Sequence, residues 1–330
     1  MSLERLSAEE IRAVEAILAA AAGEGRGFLH EHEVYAVLQV LGLETPTCHF
    51  AARPEELSAG VLAEFGSEQL VLKIVSGDIP HKTGVGGVRK VPRDRERVRA
   101  AMRRMREEVL AHPRFAGRPP RIDGFLVTSF VEYSKDLGRE ALIGFKENLA
   151  FGPVVSFSKG GTDAEHFARH FSSPNVRLLP LTLAECRALI ESTSIYRKYV
   201  AEGTLGYAEK LTHAVHRLAL LCAHFSSLNP DPPAHIFAEL EVNPFVLDDR
   251  GELLAIDGLA RILPRSQALA LSTPPNARGL DAIFWPSGVA VLGVSASDPG
   301  KTGNHVATLL HEMGRKDLHL VNPRGGTVEI

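Results

Sequence analysis

Apolar and polar positions alternate along this chain in two rhythms, and the changes of rhythm mark its elements. Ser7 and Glu10 make a capping box, after which Ile11, Val14, Ile17 and Leu18 recur at helical spacing. Glycines at 23 and 27 close that helix, and a second is predicted over about 32–41, stopped by Gly42 with Pro46 beyond. Residues 70–75 form an apolar run with Lys73 in its middle, a buried strand carrying one charge. Residues 95–110 are dense in charge, yet Val98, Met102, Met105 and Val109 share one helical face, so the charges read as a solvated surface.

Prolines at 113, 119 and 120 punctuate the chain and suggest a change of lobe. Strand-like runs follow at 125–130, 141–145 and 153–157, and Gly160-Gly161 turns the chain. A second capping box, Thr182 to Glu185, predicts a helix running toward Tyr199. A longer one, about 207–225, would bury Leu211, Val215, Leu218, Cys222 and Phe225. Residues 236–243 alternate strictly, with Ala238, Leu240 and Val242 on one face and Glu239, Glu241 and Asn243 on the other. A turn at 248–251 returns the chain as a strand over 253–257.

Residues 266–278, with Pro274-Pro275, read as a linker. Beyond it come an apolar strand at 289–292, a glycine loop, a helical segment and a strand at 318–321, the order that opens a Rossmann-like unit. Only two strands of such a sheet are expected here. The remainder would come from a longer protein or from a partner.

Composition narrows the class without naming it. The chain has 330 residues, enough for two or three domains, with 45% hydrophobic and 23% charged residues. A net charge of −3 supplies no field for nucleic acid, and no apolar run is long enough for a membrane span. Cys48, Cys186 and Cys222 are far apart, which fits a reducing, cytoplasmic setting better than a disulfide framework or a zinc site. The N-terminus lacks the apolar core of a signal peptide.

Chemistry concentrates at 70–90. A strand lysine, Lys73, is followed by His81, Lys82 and a loop with Gly84, Gly86 and Gly87. A point charge, a nucleophilic imidazole and backbone free to turn tightly are what a phosphate site requires. The hairpin of 236–257 would bring the oxygens of Asn243 and Asp257 together, a donor set suited to Mg2+. His213, His216 and His224 lie on one helix without metal-ligand spacing and read as surface or core-edge residues.

These motifs together resemble the NDP-forming acyl-CoA synthetases, relatives of succinyl-CoA synthetase. The resemblance rests on VLKIVSGDIPHKTGVGGV, FGPVVSFSKGG, ELEVNPFVLDDRGELLAID and WPSGVAVLGVSASDPGKTGN followed by LVNP. It implies a two-lobed α+β ATP-grasp fold, lobes at 1–120 and 121–265, a linker at 266–282, and an incomplete Rossmann-like CoA-binding unit at 283–330. It implies that Lys73, Lys82, Gly84, Gly86, Gly87, Ser129 and Val131 meet ATP or ADP. Glu241, Asn243 and Asp257 would hold Mg2+, and Gly293, Ser295, Lys301, Gly303, Asn322 and Pro323 would meet CoA.

The implied reaction converts acyl-CoA, ADP and phosphate to carboxylate, CoA and ATP, with His81 carrying the phosphoryl group to ADP. The histidine that first takes that group would belong to CoA-side domains beyond residue 330 or on a partner chain. Oligomerisation is compatible with this arrangement. Departures from the family pattern are Thr83-Gly84 in the glycine loop, Thr128-Ser129-Phe130-Val131-Glu132-Tyr133 at the nucleotide hinge, and the polar run from Lys159 to Asp163. Two rivals stand beside this reading. One is a carboxylate–amine ligase working through an acyl phosphate, for which a histidine–lysine loop has no use; the other is a nucleotide- or CoA-sensing module without turnover.

Overall fold

A computed structural model of the chain describes all residues except 1–3, 80, 149–150, 162–163, 165–174, 268–277 and 329–330. It divides into two compact units, Met1–Ala270 and Leu271–Ile330. The predicted linker lies largely outside the described residues.

The first unit begins with α1 (Ala8–Gly23), β1 (Phe28–Leu29) and α2 (Glu31–Val40). Then come β2 (Cys48–Ala51), α3 (Ala59–Ala63), β3 (Gln69–Val75), β4 (Val88–Pro92), α4 (Arg95–Leu110) and β5 (Gly124–Ser129). After these follow β6 (Glu140–Asn148), β7 (Gly152–Lys159), β8 (Asn175–Leu178), α5 (Leu183–Glu191), α6 (Ser194–Glu202) and α7 (Leu205–His224). The unit finishes with β9 (His235–Leu247), β10 (Leu253–Ala255) and β11 (Gly258–Pro264).

Two antiparallel sheets organise it. Strands β2-β5-β3-β4 form one, and β1-β11-β9-β6-β7-β8 form the other, with β10 paired to the end of β9. Helix α4 lays Val98, Met102, Met105 and Val109 on Leu70, Leu72, Ile74 and Phe125 of the smaller sheet. This is the apolar face predicted from spacing. The larger sheet packs Phe145, Phe157, Phe237 and Leu240 against α1, α2, α5 and α7. Val75 and Leu126, from the opposite face of the smaller sheet, belong to that second core and join the two lobes.

Three features depart from the sequence reading. The helix begun at Thr182 is two helices, because Thr193 caps a fresh start by accepting from Tyr196 N–H at 3.1 Å. Strand β5 follows the prolines yet occupies the middle of the smaller sheet, since its register with β3 runs from Leu70↔Ser129 to Val75↔Gly124. The return strand of the 236–257 hairpin ends at Ala255, leaving Asp257 in the link to β11. The α7 histidines are diverse: His213 is exposed, His216 is buried with Nδ1 3.7 Å from Glu4, and His224 meets the ring of Phe225.

The second unit holds α8 (Arg278–Phe284), β12 (Val289–Leu292), α9 (Thr302–Glu312) and β13 (Leu318–Val321). Strands β12 and β13 pair in parallel, and Val291 and Ala307 are buried between strand and helix. Among the described residues no helix is long and apolar enough to cross a membrane.

Candidate functional site

The alternation of β3 decides where its lysine goes. Leu70, Leu72 and Ile74 point into the smaller lobe's core, so Lys73 must point out of the opposite face, toward α2 of the larger lobe. There it meets Glu31, the first residue of α2. The Lys73 Nζ donates to Glu31 Oε1 at 2.5 Å and to the Ile256 carbonyl at 2.6 Å. Lys82 Nζ reaches the other carboxylate oxygen, Oε2, also at 2.5 Å. The Tyr35 hydroxyl, one helical turn from Glu31, lies 2.7 Å from both Glu31 Oε1 and Ile256 O. Side-chain exposure is 1% for Glu31 and 8% for Lys73. Burial alone would raise the Glu31 carboxyl; the charges and hydrogen bonds of Lys73 and Lys82 outweigh it and hold the group at about 2.

Glu31, the anion that holds both lysines, is the contact that sequence reading missed. A signal was present: Glu31, Val34, Tyr35 and Leu38 are i, i+3, i+4 and i+7, so the acid sits on the buried stripe of its helix. A carboxylate placed there has to find a cation.

The histidine–lysine loop closes on itself. Residues Thr83–Val85 make a 3-10 turn ended by Gly86 at φ 74°, the left-handed region that glycine enters without strain. Gly86 N–H donates to Thr83 O at 3.2 Å and Gly87 N–H to Lys82 O at 2.8 Å. Those two donors therefore shape the turn. A Cβ on Gly87 would stand 2.7 Å from Ile74 Cγ2, so only glycine fits against the strand. His81 is exposed at the start of the loop.

Contacts link Glu241, Asn243 and Asp257, the residues expected to hold a metal. Asn243 N–H donates to Asp257 O at 3.1 Å, which fixes the link residue beside β9. Asn243 Oδ1 accepts from Gly161 N–H at 2.8 Å, and its Nδ2 lies 3.5 Å from Glu241 Oε1. Lys82 Nζ is 3.8 Å from Asp257 Oδ1. Partial burial, and after it the Glu31 carboxylate, pushes the half-exposed Asp257 carboxyl up. Burial raises Glu241 as well, with Glu239 and Asp257 adding to it. Carboxylate and amide oxygens are hard donors, the kind a dication such as Mg2+ takes.

A neighbouring cluster was also missed. Glu140 is buried, lies 3.6 Å from Lys159 Nζ and accepts from the Tyr133 hydroxyl at 3.1 Å. A Cβ on Gly161 would strike its carboxylate, so Glu140 and Asn243 share the Gly160-Gly161 turn. At the hinge, Ser129 N–H donates to Thr47 O and Phe130 N–H to Gln69 O, while Lys90 Nζ rests 3.6 Å above the Phe130 ring. Val131 is half-buried beyond it.

In the second unit, an open cavity of about 800 Å3 runs along β12 and the start of α9, lined in part by Gly293, Lys301 and Gly303. Gly293 has φ 81°, and a Cβ on Gly303 would meet its backbone at 2.7 Å. Ser295 N–H donates to Asn304 Oδ1 at 2.7 Å, holding the loop to the helix. Asn322 organises the turn after β13 by accepting from Arg324 N–H at 2.9 Å; it, Pro323 and Ser295 are not among the cavity's lining residues.

With this geometry in view, comparison with known proteins is specific. The family described as the ATP-grasp domain matches residues 20–262. The chain is 27% identical over 301 residues to acetate–CoA ligase [ADP-forming] II of Archaeoglobus fulgidus, covering 91% of this chain and 39% of that protein's length. It is 27% identical over 230 residues to the beta subunit of acetate–CoA ligase [ADP-forming] I of Pyrococcus furiosus, covering 69% of this chain and 89% of that subunit. A chain of the dinucleotide-forming acetyl-coenzyme A synthetase 1 of Ca. Korarchaeum cryptofilum, solved with coenzyme A and Ca-AMPCP, superposes with a TM-score of 0.59. That match has 26% identity and covers 76% of this chain and 99% of that one. The chain thus spans 39% of the A. fulgidus enzyme. By sequence and by fold it belongs to the ATP-grasp domain family and is homologous to the ATP-grasp portions of ADP-forming acetyl-CoA synthetases.

Proposed function

We propose that this chain is the nucleotide-handling part of an ADP-forming acyl-CoA synthetase, moving a phosphoryl group between His81 and a nucleotide. The observation that carries the reading is that Lys82, next to His81 in the loop, reaches both Glu31 beside Lys73 and Asp257 beside Asn243. In the ATP-forming direction, a β-phosphate oxygen of ADP attacks the phosphorus of phosphohistidine. The new P–O bond forms as the P–N bond breaks, and the imidazole, protonated on its other ring nitrogen, leaves neutral.

Lys73 and Lys82 would exchange the Glu31 carboxylate for phosphate oxygens, and Ser129 and Val131 would flank the base. Residues Glu241, Asn243 and Asp257 fit Mg2+ as hard oxygen donors, and the ion would supply neutralisation of phosphoryl charge. Gly84, Gly86 and Gly87 would hold the loop over the phosphates. In the second unit Gly293, Ser295, Lys301, Gly303, Asn322 and Pro323 would form part of a CoA site. Formation of the acyl phosphate and thioester would fall to further domains, in the same polypeptide or on a partner chain, in the cytoplasm.

The test is phosphoryl exchange. Incubation with γ-labelled ATP and Mg2+ should place an acid-labile, base-stable label on the protein, and His81→Ala should abolish it while leaving ADP binding within about twofold. Label retained in the variant would make His81 an ordinary loop residue. Mg2+-dependent ADP binding with no label in the wild-type chain would favour the sensing module.

A further inference from the structure

The first turn of α2 carries, beside Glu31, a second cluster that phosphoryl transfer does not use. His30, His32 and Glu33 each bring one ligating atom within 4.8 Å of the other two, the one such group among the described residues. From these contacts we propose that the three side chains form a site for a borderline transition-metal dication of the Zn2+ type, separate from the hard-oxygen site at Glu241, Asn243 and Asp257.

An independent observation points to a missing ligand. His32 Nδ1 is buried and has no hydrogen-bond partner, a situation that costs about 1–3 kcal/mol unless something accepts that lone pair or that proton. The surroundings are built to hold the rings still. His32 stacks on Phe50 at 4.7 Å and 22°, and His30 stacks on the same ring at 5.7 Å and 21°. His30 Nε2 lies 3.4 Å from Asp123 Oδ2, the kind of carboxylate contact that orients metal-bound imidazoles.

Glu33 is aimed in the same way. Arg26 grips both of its oxygens at 2.7 Å, and the His30 N–H meets Oε2 at 2.6 Å, so Oε1 keeps the freer lone pair. Around the cluster Glu24, Glu33 and Asp123 face Arg26 and Arg121, and Glu31 alongside is matched by Lys73 and Lys82. Two imidazoles and one carboxylate select zinc-like ions over Mg2+.

The experiment is zinc titration of the full chain by calorimetry, with excess Mg2+ present to occupy the hard-oxygen donors. One Zn2+ per chain is expected, and His32→Gln should weaken it at least about tenfold. Zinc-edge X-ray absorption on the unmutated protein should count two imidazole ligands, which keeps the test valid if the variant does not fold. Unchanged affinity in His32→Gln, bound zinc with only oxygen neighbours, or no binding from micromolar zinc would each overturn the site. None of these outcomes bears on whether His81 is phosphorylated, so the two readings fail separately.

Discussion

Glu31 and Lys73 join the two lobes through a hydrogen-bonded ion pair at 2.5 Å, with almost no solvent around either side chain. Glu31 comes from the helix that packs on the larger sheet, Lys73 from the central region of the smaller one. Lys82 completes the pair from the loop beyond, so one carboxylate answers two ammoniums. The lysines an incoming phosphate would need are already held by an internal anion.

Removing that anion should therefore be costly. Breaking a buried pair from one side leaves uncompensated charge and costs about 3–5 kcal/mol. Glu31→Gln is expected to lower the midpoint of thermal unfolding, and ADP should recover more stability in the variant than in the wild type. Equal stabilisation of both proteins by ADP would show that the nucleotide does not take the place of Glu31.

The same pair sets a pH dependence. The Glu31 carboxyl falls from its ordinary 4.5 to about 2 on folding, so its stabilisation is complete above pH 4.5 and fades as pH drops toward 2. Glutamine has nothing to protonate. The stability difference between wild type and Glu31→Gln should therefore shrink across that window in urea titrations at stepped pH; a constant difference would mean that the carboxylate is not ionised by its neighbours.

Two glycines of one loop should behave oppositely. A Cβ at Gly84 meets nothing within 4 Å, whereas at Gly87 it would stand 2.7 Å from Ile74 and 2.9 Å from Lys82 O. Gly87→Ala should shift Lys82 and weaken ADP binding by about tenfold or more, while Gly84→Ala stays within about twofold. Calorimetric titration of both variants decides it, and equal effects would remove the steric argument.

Asp257 tests the metal reading. Asp257→Asn keeps the shape of the link and removes one negative oxygen beside Lys82. Nucleotide affinity with Mg2+ should fall by about tenfold, with much less change when EDTA is present. A similar loss in both conditions would make Asp257 structural.

Thr193 offers a purely local check. Its hydroxyl caps α6, so Thr193→Ala should cost about 0.5–2 kcal/mol in chemical denaturation without altering nucleotide binding. A neutral result would mean that the break between α5 and α6 holds without the cap.

The capping boxes at Ser7 and Thr182, the apolar face of α4 and the lysine inside β3 were all legible, because each depends on spacing over a few residues. Thr193 was overlooked for the same reason that the others were found: an apolar stripe runs on across the break, and only a hydroxyl at the right residue announces a new start. The meeting of Asn243 with Asp257 was also readable, since a hairpin sets its own register.

What the chain alone determined was the list of parts: a strand lysine, a histidine–lysine loop with glycines, and a hairpin rich in oxygen. Only the tertiary structure decided what those parts face. Glu31 lies 42 residues before Lys73 and 51 before Lys82, and α2 packs with the distant β11. The physical reason is that helical and strand periodicities say which side of an element a residue occupies, whereas which element covers that side depends on how two separate cores close on each other.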